Sequence, residues 1–267
     1  MGKPTNIVYG LVSAAAIAIG VAACVTSPET GRTQLSLVSD SQMNSLGAQA
    51  YEETLAKAKI SRNTALNNEV TSIGRRIAQA SGVDYDWEFT VIDEPQTVNA
   101  FCLPGGKVAV YTGIIPVAKN NAALAAVMGH EVAHATLRHS AERMSQQLVM
   151  QMGLTVASIT FSDSKNRNMI AGLLGIGTQF GVVLPFSRYH ESEADRVGLE
   201  YMAKAGYDPR EAVGLWERMG SMGGGRPPEI LSTHPDPARR AKELSKHMPK
   251  ALAMYQASPM RTPTKNL

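Results

Sequence analysis

The run His130-Glu131-Val132-Ala133-His134 restricts what this chain can fold into more than any other part of it. On a helix, residues four apart differ by only ~40° around the axis, so both imidazoles can face one point. Glu131 lies ~100° from His130, near that point without filling it. Two histidines so placed suit a divalent metal, and a carboxylate beside them suits proton transfer from a water that the metal acidifies. Gly129, Ala133 and Ala135 keep the flanks of this helix small, as close packing on several sides requires. The competing explanation is chance occurrence on an ordinary helix, so the reading needs further ligands.

A catalytic zinc of this kind takes three protein ligands and keeps one position open. His139 is the nearest candidate in the chain. Nine helical residues from His130 turn through ~900°, so a continuous helix puts His139 on the opposite face, as a structural or surface residue. Leu137 and Ser140 also stand where a longer His-Glu-x-x-His-x-x-Gly-x-x-His pattern has its glycine and its third histidine. The better candidate lies in His190-Glu191-Ser192-Glu193-Ala194-Asp195. Glu191 and Asp195 share a helical face, whereas Glu193 is ~200° from Glu191 and points elsewhere. Glu191 is therefore expected as the third ligand, with Asp195 holding the outer ring N–H of a ligand histidine. A solvated acidic helix start is the alternative.

Around these motifs the periodicity predicts helices at 41–59 and 66–80, then β-rich strands over Trp87–Ile92 and Lys107–Tyr111. A long helix is expected from Asn121 to beyond Arg143, with further helices near 188–205, 209–220 and 235–247. Two apolar stretches, Leu148–Phe161 and Met169–Leu184, are each shorter than the ~18 residues a membrane span requires. They read as buried or cleft-lining segments, with membrane insertion as the other possibility. Gly223-Gly224-Gly225 reads as a flexible loop, and residues after Pro259 as frayed. The expected fold class is α+β, mostly helical, with a small β-sheet beside the metal-bearing helix.

Hydrophobic residues at 44% and charged ones at 18% describe a globular chain, and a scattered net charge of +3 gives no nucleic-acid surface. Lys3, the apolar run Ile7–Ala23 and the small residues before Cys24 have the form of a secretory signal, or of an uncleaved membrane anchor. The expected division is a signal peptide at 1–23, a tether at 24–39, the metal-bearing domain at 40–250 and a tail at 251–267. Cys102 is expected as a buried free thiol, with pairing to Cys24 as the alternative.

Taken together, His130-Glu-x-x-His134 followed by Glu191-x-x-x-Asp195 resembles the gluzincin metallopeptidases. The closer resemblance is to the family of CAAX prenyl proteases and HtpX, through Asn99-Ala-Phe-Cys-Leu-Pro-Gly-Gly, the helix at 130–143, Glu191–Asp195 and Ser232-Thr-His-Pro. Cys24 after its small residues resembles a lipidated N-terminus, which points to the LoiP- and BepA-like periplasmic lipoprotein branch.

The resemblance implies a zincin-type fold and one Zn2+ per chain on His130, His134 and Glu191, with Glu131 as the catalytic base. It implies that Asn99, Ala100 and Phe101 bind substrate backbone as an edge strand. It also gives site roles to His234 and Arg240: His234 as oxyanion stabiliser or latency-imposing fourth ligand, with a helix-capping loop histidine as the plain alternative. The expected substrates are misfolded or stalled envelope proteins, met on the periplasmic side of a bacterial envelope, with lipid anchoring at the outer membrane. The rival function is an envelope assembly chaperone with a largely silent metal site.

Overall fold

The computed structural model describes residues 24–160, 187–222, 229–234 and 236–267, with side chains of 152–160 left aside. The expected signal at 1–23, the stretch Met169–Leu184 and the loop Gly223–Gly225 lie outside them. Contacts divide the chain into two units, residues 1–39 with 141–181 and residues 40–140 with 182–267.

In the first unit, the segment read as a tether forms a small hairpin. Strand β1 (Cys24–Thr26) pairs antiparallel with β2 (Thr33–Leu35). Arg32 meets Glu142 through two hydrogen bonds of 2.9 and 2.6 Å, and the Leu37 N–H donates to the Ser145 hydroxyl at 2.8 Å. A polar composition suggested a solvated linker, but a forked Arg–carboxylate pair orders it.

The second unit begins with α1 (Asp40–Lys57) and α2 (Thr64–Ser81), close to the expected bounds. Asn63 starts α2 by accepting a hydrogen bond from the Leu66 N–H at 3.1 Å, and Val70, Ile73 and Ile77 form its fully buried stripe. Strands β3 (Glu88–Ile92), β4 (Ala100–Leu103) and β5 (Lys107–Tyr111) then form one sheet in the order β3-β5-β4. β5 is central, parallel to β3 and antiparallel to β4, which leaves β4 an edge of the sheet. Alternation sorts the faces: Val91, Ala100, Cys102, Val108 and Val110 join the main core, while Ile92, Phe101, Ala109 and Tyr111 pack with Tyr51 of α1.

After a one-turn α3 (Ile115–Ala118) comes α4 (Asn121–Thr136), every residue of which is buried. Its start is closed by Asn120, whose side chain accepts from the Ala123 N–H at 2.8 Å. A second closure comes from the C-terminal segment, expected to fray. The Asn121 N–H donates to the Lys265 carbonyl at 3.0 Å, and the Lys265 N–H returns a bond of 3.0 Å to the Asn121 side chain. A buried helix start carries N–H groups that need acceptors, and the end of the chain supplies them.

The long helix expected through Arg143 is two helices. α4 stops at Thr136, Arg138 takes a left-handed backbone at φ 59°, and a separate helix α5 (His139–Thr160) begins one residue later. A left-handed arginine costs ~1–2 kcal/mol. Its ion pair with Asp40 at 2.7 Å and the burial of Leu137 oppose that cost. The remaining elements are α6 (Arg188–Lys204), α7 (Arg210–Ser221), α8 (Ile230–Thr233) and α9 (Pro237–Ala257). α9 runs ten residues past its expected end, through Pro249, with Ala251 buried on the core. The fold is α+β and mostly helical, with the sheet against α4, as expected. Among the described residues no helix is long and apolar enough to cross a membrane.

What brings α6 onto α4 is a glycine pair. A Cβ on Gly129 would lie 2.8 Å from the Gly198 carbonyl oxygen, and one on Gly198 would lie 2.7 Å from the His130 nitrogen. Both obstacles are backbone, so neither can move aside cheaply. We expect Gly198→Ala to lower stability by about 1–3 kcal/mol through forced separation of the helices. Urea unfolding measures that loss, and metal affinity should fall with it, because α6 carries the acidic half of the site.

Candidate metal centre

Each side chain of the site is placed by one of four elements. α4 presents His130, Glu131 and His134; the first eight residues of α6 present Glu191 and Asp195; α9 presents Arg240; and His234 closes α8. All seven are at most 5% exposed. Among the described residues, His130, His134, Glu191 and His234 offer ligand atoms that all lie within 4.8 Å of one another.

The individual distances are short. His130 Nε2 is 3.0 Å from His134 Nε2 and 3.2 Å from His234 Nδ1. Glu191 Oε1 is 3.0 Å from His234 Nδ1 and 3.3 Å from His134 Nε2. Behind this ring, His130 Nδ1 lies 3.1 Å from Asp195 Oδ1. Arg240 Nη2 lies 2.8 Å from the same Nδ1, and with the Nδ1 hydrogen donated to Asp195 the Nε2 lone pair faces inward. Glu131 is buried with an Oε1 that has no hydrogen-bond partner; its nearest ionic neighbour is His234 Nε2 at 3.5 Å. Converging lone pairs, a carboxylate among them and an unengaged buried carboxylate alongside suit a divalent cation.

Electrostatics point the same way. Burial opposes the charge on Glu191, but hydrogen bonds from His130, His134 and His234 overcome it and hold the carboxyl well below the usual range. Burial likewise opposes the charge on Asp195, and the adjacent Arg240 outweighs it. Burial and Arg240 would depress His130, yet bonding to Asp195 and Glu191 pushes it up to about 9. Burial carries His134 the other way, well below its ordinary value. The two carboxylates thus make a buried point that draws positive charge.

Arg240 is the permanent cation of this network. Its Nε donates to Asp195 Oδ2 at 2.8 Å, its Nη2 also meets Asp195 Oδ1, and its Nη1 lies 3.1 Å from Glu191 Oε2. The guanidinium stacks 3.4 Å over the Trp216 ring, which lies 6.0 Å from the His130 ring. Sequence reasoning missed Trp216, because one tryptophan on an amphipathic helix looks like core.

The other expectations divide. Asn99, Ala100 and Phe101 run into edge strand β4, which packs on α4. Cys102 on that strand is buried and Cys24 is exposed, and the two are not joined in a disulfide. His139 departs from expectation: it is fully buried, with Nδ1 2.9 Å from His134 Nδ1 and Nε2 3.1 Å from Glu193 Oε2. The ~900° argument assumed an unbroken helix, and the turn at Arg138 ends that helix first. Glu193 does point away from Glu191, but towards His139.

Two measurements test this electrostatic arrangement. Arg240→Ala leaves two buried carboxylates without their cation and should cost about 3–5 kcal/mol in urea unfolding, with no recovery in Arg240→Lys, which lacks the fork. Burial first, and the Glu131 charge second, push the Cys102 thiol well above its ordinary value. A raised value keeps the neutral thiol as pH rises, so at about pH 8 Cys102 should resist iodoacetamide until denaturant exposes it. Peptide mass spectrometry reads the difference.

Residues 64–248 match Peptidase family M48. The chain is 40% identical over 192 residues to the mitochondrial metalloendopeptidase OMA1 of Schizosaccharomyces pombe, covering 71% of this chain and 55% of that one. It is 32% identical over 248 residues to the mitochondrial metalloendopeptidase OMA1 of Bos taurus, covering 86% and 47%. It is 30% identical over 224 residues to the beta-barrel assembly-enhancing protease of Escherichia coli (strain K12), covering 80% and 45%. The chain spans about half the length of the curated relatives it matches. These matches correct the expected localisation, a lipid-anchored place on the periplasmic side of an outer membrane, since the OMA1 relatives are mitochondrial. An apolar run ending in a cysteine specifies a hydrophobic segment, not the membrane it meets. A buried His-Glu-x-x-His helix completed by Glu191, over a stretch that matches from α2 to α9, makes the chain a member of Peptidase family M48, a family of metallopeptidases.

Proposed function

We propose that the chain is a zinc-dependent endopeptidase that cleaves extended segments of misfolded or stalled membrane proteins. One observation carries this reading: Glu131, buried with an Oε1 that has no hydrogen-bond partner, lies 3.5 Å from Nε2 of His234, whose Nδ1 is 3.2 Å from His130 Nε2. A purely structural metal site has no use for a base there. His130, His134 and Glu191 would hold the zinc, which supplies Lewis acidity toward a peptide carbonyl and brings the pKa of water towards neutrality.

The protein's own groups do the rest. Asp195 keeps the His130 ring turned inward, and Arg240 holds Glu191 and Asp195 in place. Glu131 takes a proton from the attacking water and hands it to the leaving amine. Asn99, Ala100 and Phe101 would align substrate backbone along β4. This is supported by β4 being a sheet edge, which can accept a further strand by backbone hydrogen bonds. Quality control of membrane proteins is supported by the name of one relative, a beta-barrel assembly-enhancing protease.

His234 gives this enzyme a latent form. With Nδ1 3.2 Å from His130 Nε2 and 3.0 Å from Glu191 Oε1, it is suited to fill the position a water needs. Latency also suits a protease that meets folded proteins alongside its substrates.

The test is casein cleavage with metal analysis on the wild type, Glu131→Gln and His234→Ala. One zinc per chain should persist in Glu131→Gln, while cleavage falls by about 100-fold or more, the usual loss for a general base. His234→Ala should raise cleavage above the wild type. Metal bound with no cleavage by the wild type or His234→Ala would favour an assembly chaperone with a silent site, and no metal in the wild type would remove the site altogether.

A further inference from the structure

Each ligand histidine turns one nitrogen to the centre and one outward, and the outward nitrogen must have a partner that fixes the ring. For His130 that partner is Asp195. For His134 it is a second imidazole. Its Nδ1 faces Nδ1 of His139 at 2.9 Å, and beyond it Nε2 of His139 faces Glu193 Oε2 at 3.1 Å. We propose that His139 and Glu193 act as positioning residues, a relay through which a carboxylate sets the tautomer and orientation of His134. The inference rests on the zinc reading of the site, and it assigns a role to two residues outside the metal-binding and acid–base set.

The proton assignments follow from the chemistry of the partners. A carboxylate accepts, so His139 Nε2–H donates to Glu193. A neutral imidazole then has its lone pair on Nδ1, so His139 can only accept from His134 at that atom. His134 therefore carries its hydrogen on Nδ1 and keeps the Nε2 lone pair, on the side where Glu191 and His130 lie. Reversing any one bond would put a hydrogen on the nitrogen that has to bind the metal. The relay works only with every member in this order.

Geometry holds the order. His139 is completely buried, Glu193 is 5% exposed, and the His190 ring stacks on His139 at 4.4 Å between centroids with 21° between planes. The rings of His134 and His139 meet nearly edge to face, at 4.9 Å and 75°, which suits an in-plane N–H reaching a lone pair. The left-handed turn at Arg138 is what swings His139 under α4, and the paired side chain of Asp40 holds that turn. Glu193 stands two residues from Glu191, so one helix supplies a metal ligand on one side and the end of the relay on another.

Zinc affinity by chelator competition tests this on the full chain. Loss of such outer partners commonly costs 10- to 100-fold in metal affinity, and we expect that loss in His139→Ala. Asn and Gln at position 139 separate a relay from mere packing. In His139→Asn the amide oxygen sits near the former Nδ1 and still accepts from His134, so affinity should stay within about threefold of the wild type. In His139→Gln the amide reaches the former Nε2 position and leaves His134 without its acceptor, so affinity should fall as in His139→Ala. The double variant His139→Ala/Glu193→Ala should bind no more weakly than His139→Ala, because Glu193 acts through His139.

Equal affinities in the Asn and Gln variants would overturn the relay, as would additive losses in the double variant. Should His139→Ala fail to fold by circular dichroism, the Asn and Gln pair alone decides. A wild type that binds no zinc would remove the metal reading itself; a wild type that binds zinc, with every variant at position 139 matching it, would remove only the relay.

Discussion

The site exists because two helices cross almost backbone to backbone. Gly129 and Gly198 allow α6 to approach α4 until a single added methyl group would meet a carbonyl oxygen. At ordinary helix separations of about 8–10 Å, carboxylates on α6 would stop short of the imidazoles on α4. The close crossing lets Glu191 touch both histidines and Asp195 reach round to the outer nitrogen of the first. The small residues along α4 that look like weak packing are what make the approach possible. Core volume has been exchanged for reach.

Such an approach concentrates charge where water is absent. Three carboxylates, three imidazoles and a guanidinium share a region with almost no exposure, and no one of them would be stable there alone. Arg240 resolves part of the problem by spanning Asp195 and Glu191, and the face of Trp216 supports the charge it brings. The remaining negative charge is aimed at the point where a divalent cation would sit. The polar network and the metal preference are therefore one feature, since removing the arginine would change how strongly the carboxylates attract a metal.

Much of this was legible in the chain. Within a single regular element, angular arithmetic works: His130 with His134, and Glu191 with Asp195, lie together as their spacing requires. Strand alternation also placed β3 and β5, and the stripe Val70-Ile73-Ile77 placed α2. Failures occur where one element ends and another begins. No sequence signal marks Arg138 as left-handed, because glycine or asparagine is the usual occupant of that region, and so His139 was assigned to the wrong face. The pinned C-terminal segment was equally hidden. Its role is to satisfy backbone groups at the start of α4, and backbone groups carry no residue identity to read.

The turn at Arg138 also explains why the two ligand histidines are supported differently. His130 lies in the middle of α4, facing α6, where a carboxylate four residues beyond Glu191 can reach it directly. His134 is near the end of α4, one turn further along, and its Nδ1 meets the ring of His139 instead. Glu193 serves the outer side of His134 through an intervening group that accepts on one side and donates on the other, and neutral imidazole has that property. The group also has to come from a residue just past the end of α4 whose ring meets His134. Ending the helix with a left-handed residue supplies that placement at the cost of local strain, which the ion pair between Arg138 and Asp40 offsets. An interruption that looks like a defect in a long helix is thus the physical condition for holding the second histidine as firmly as the first.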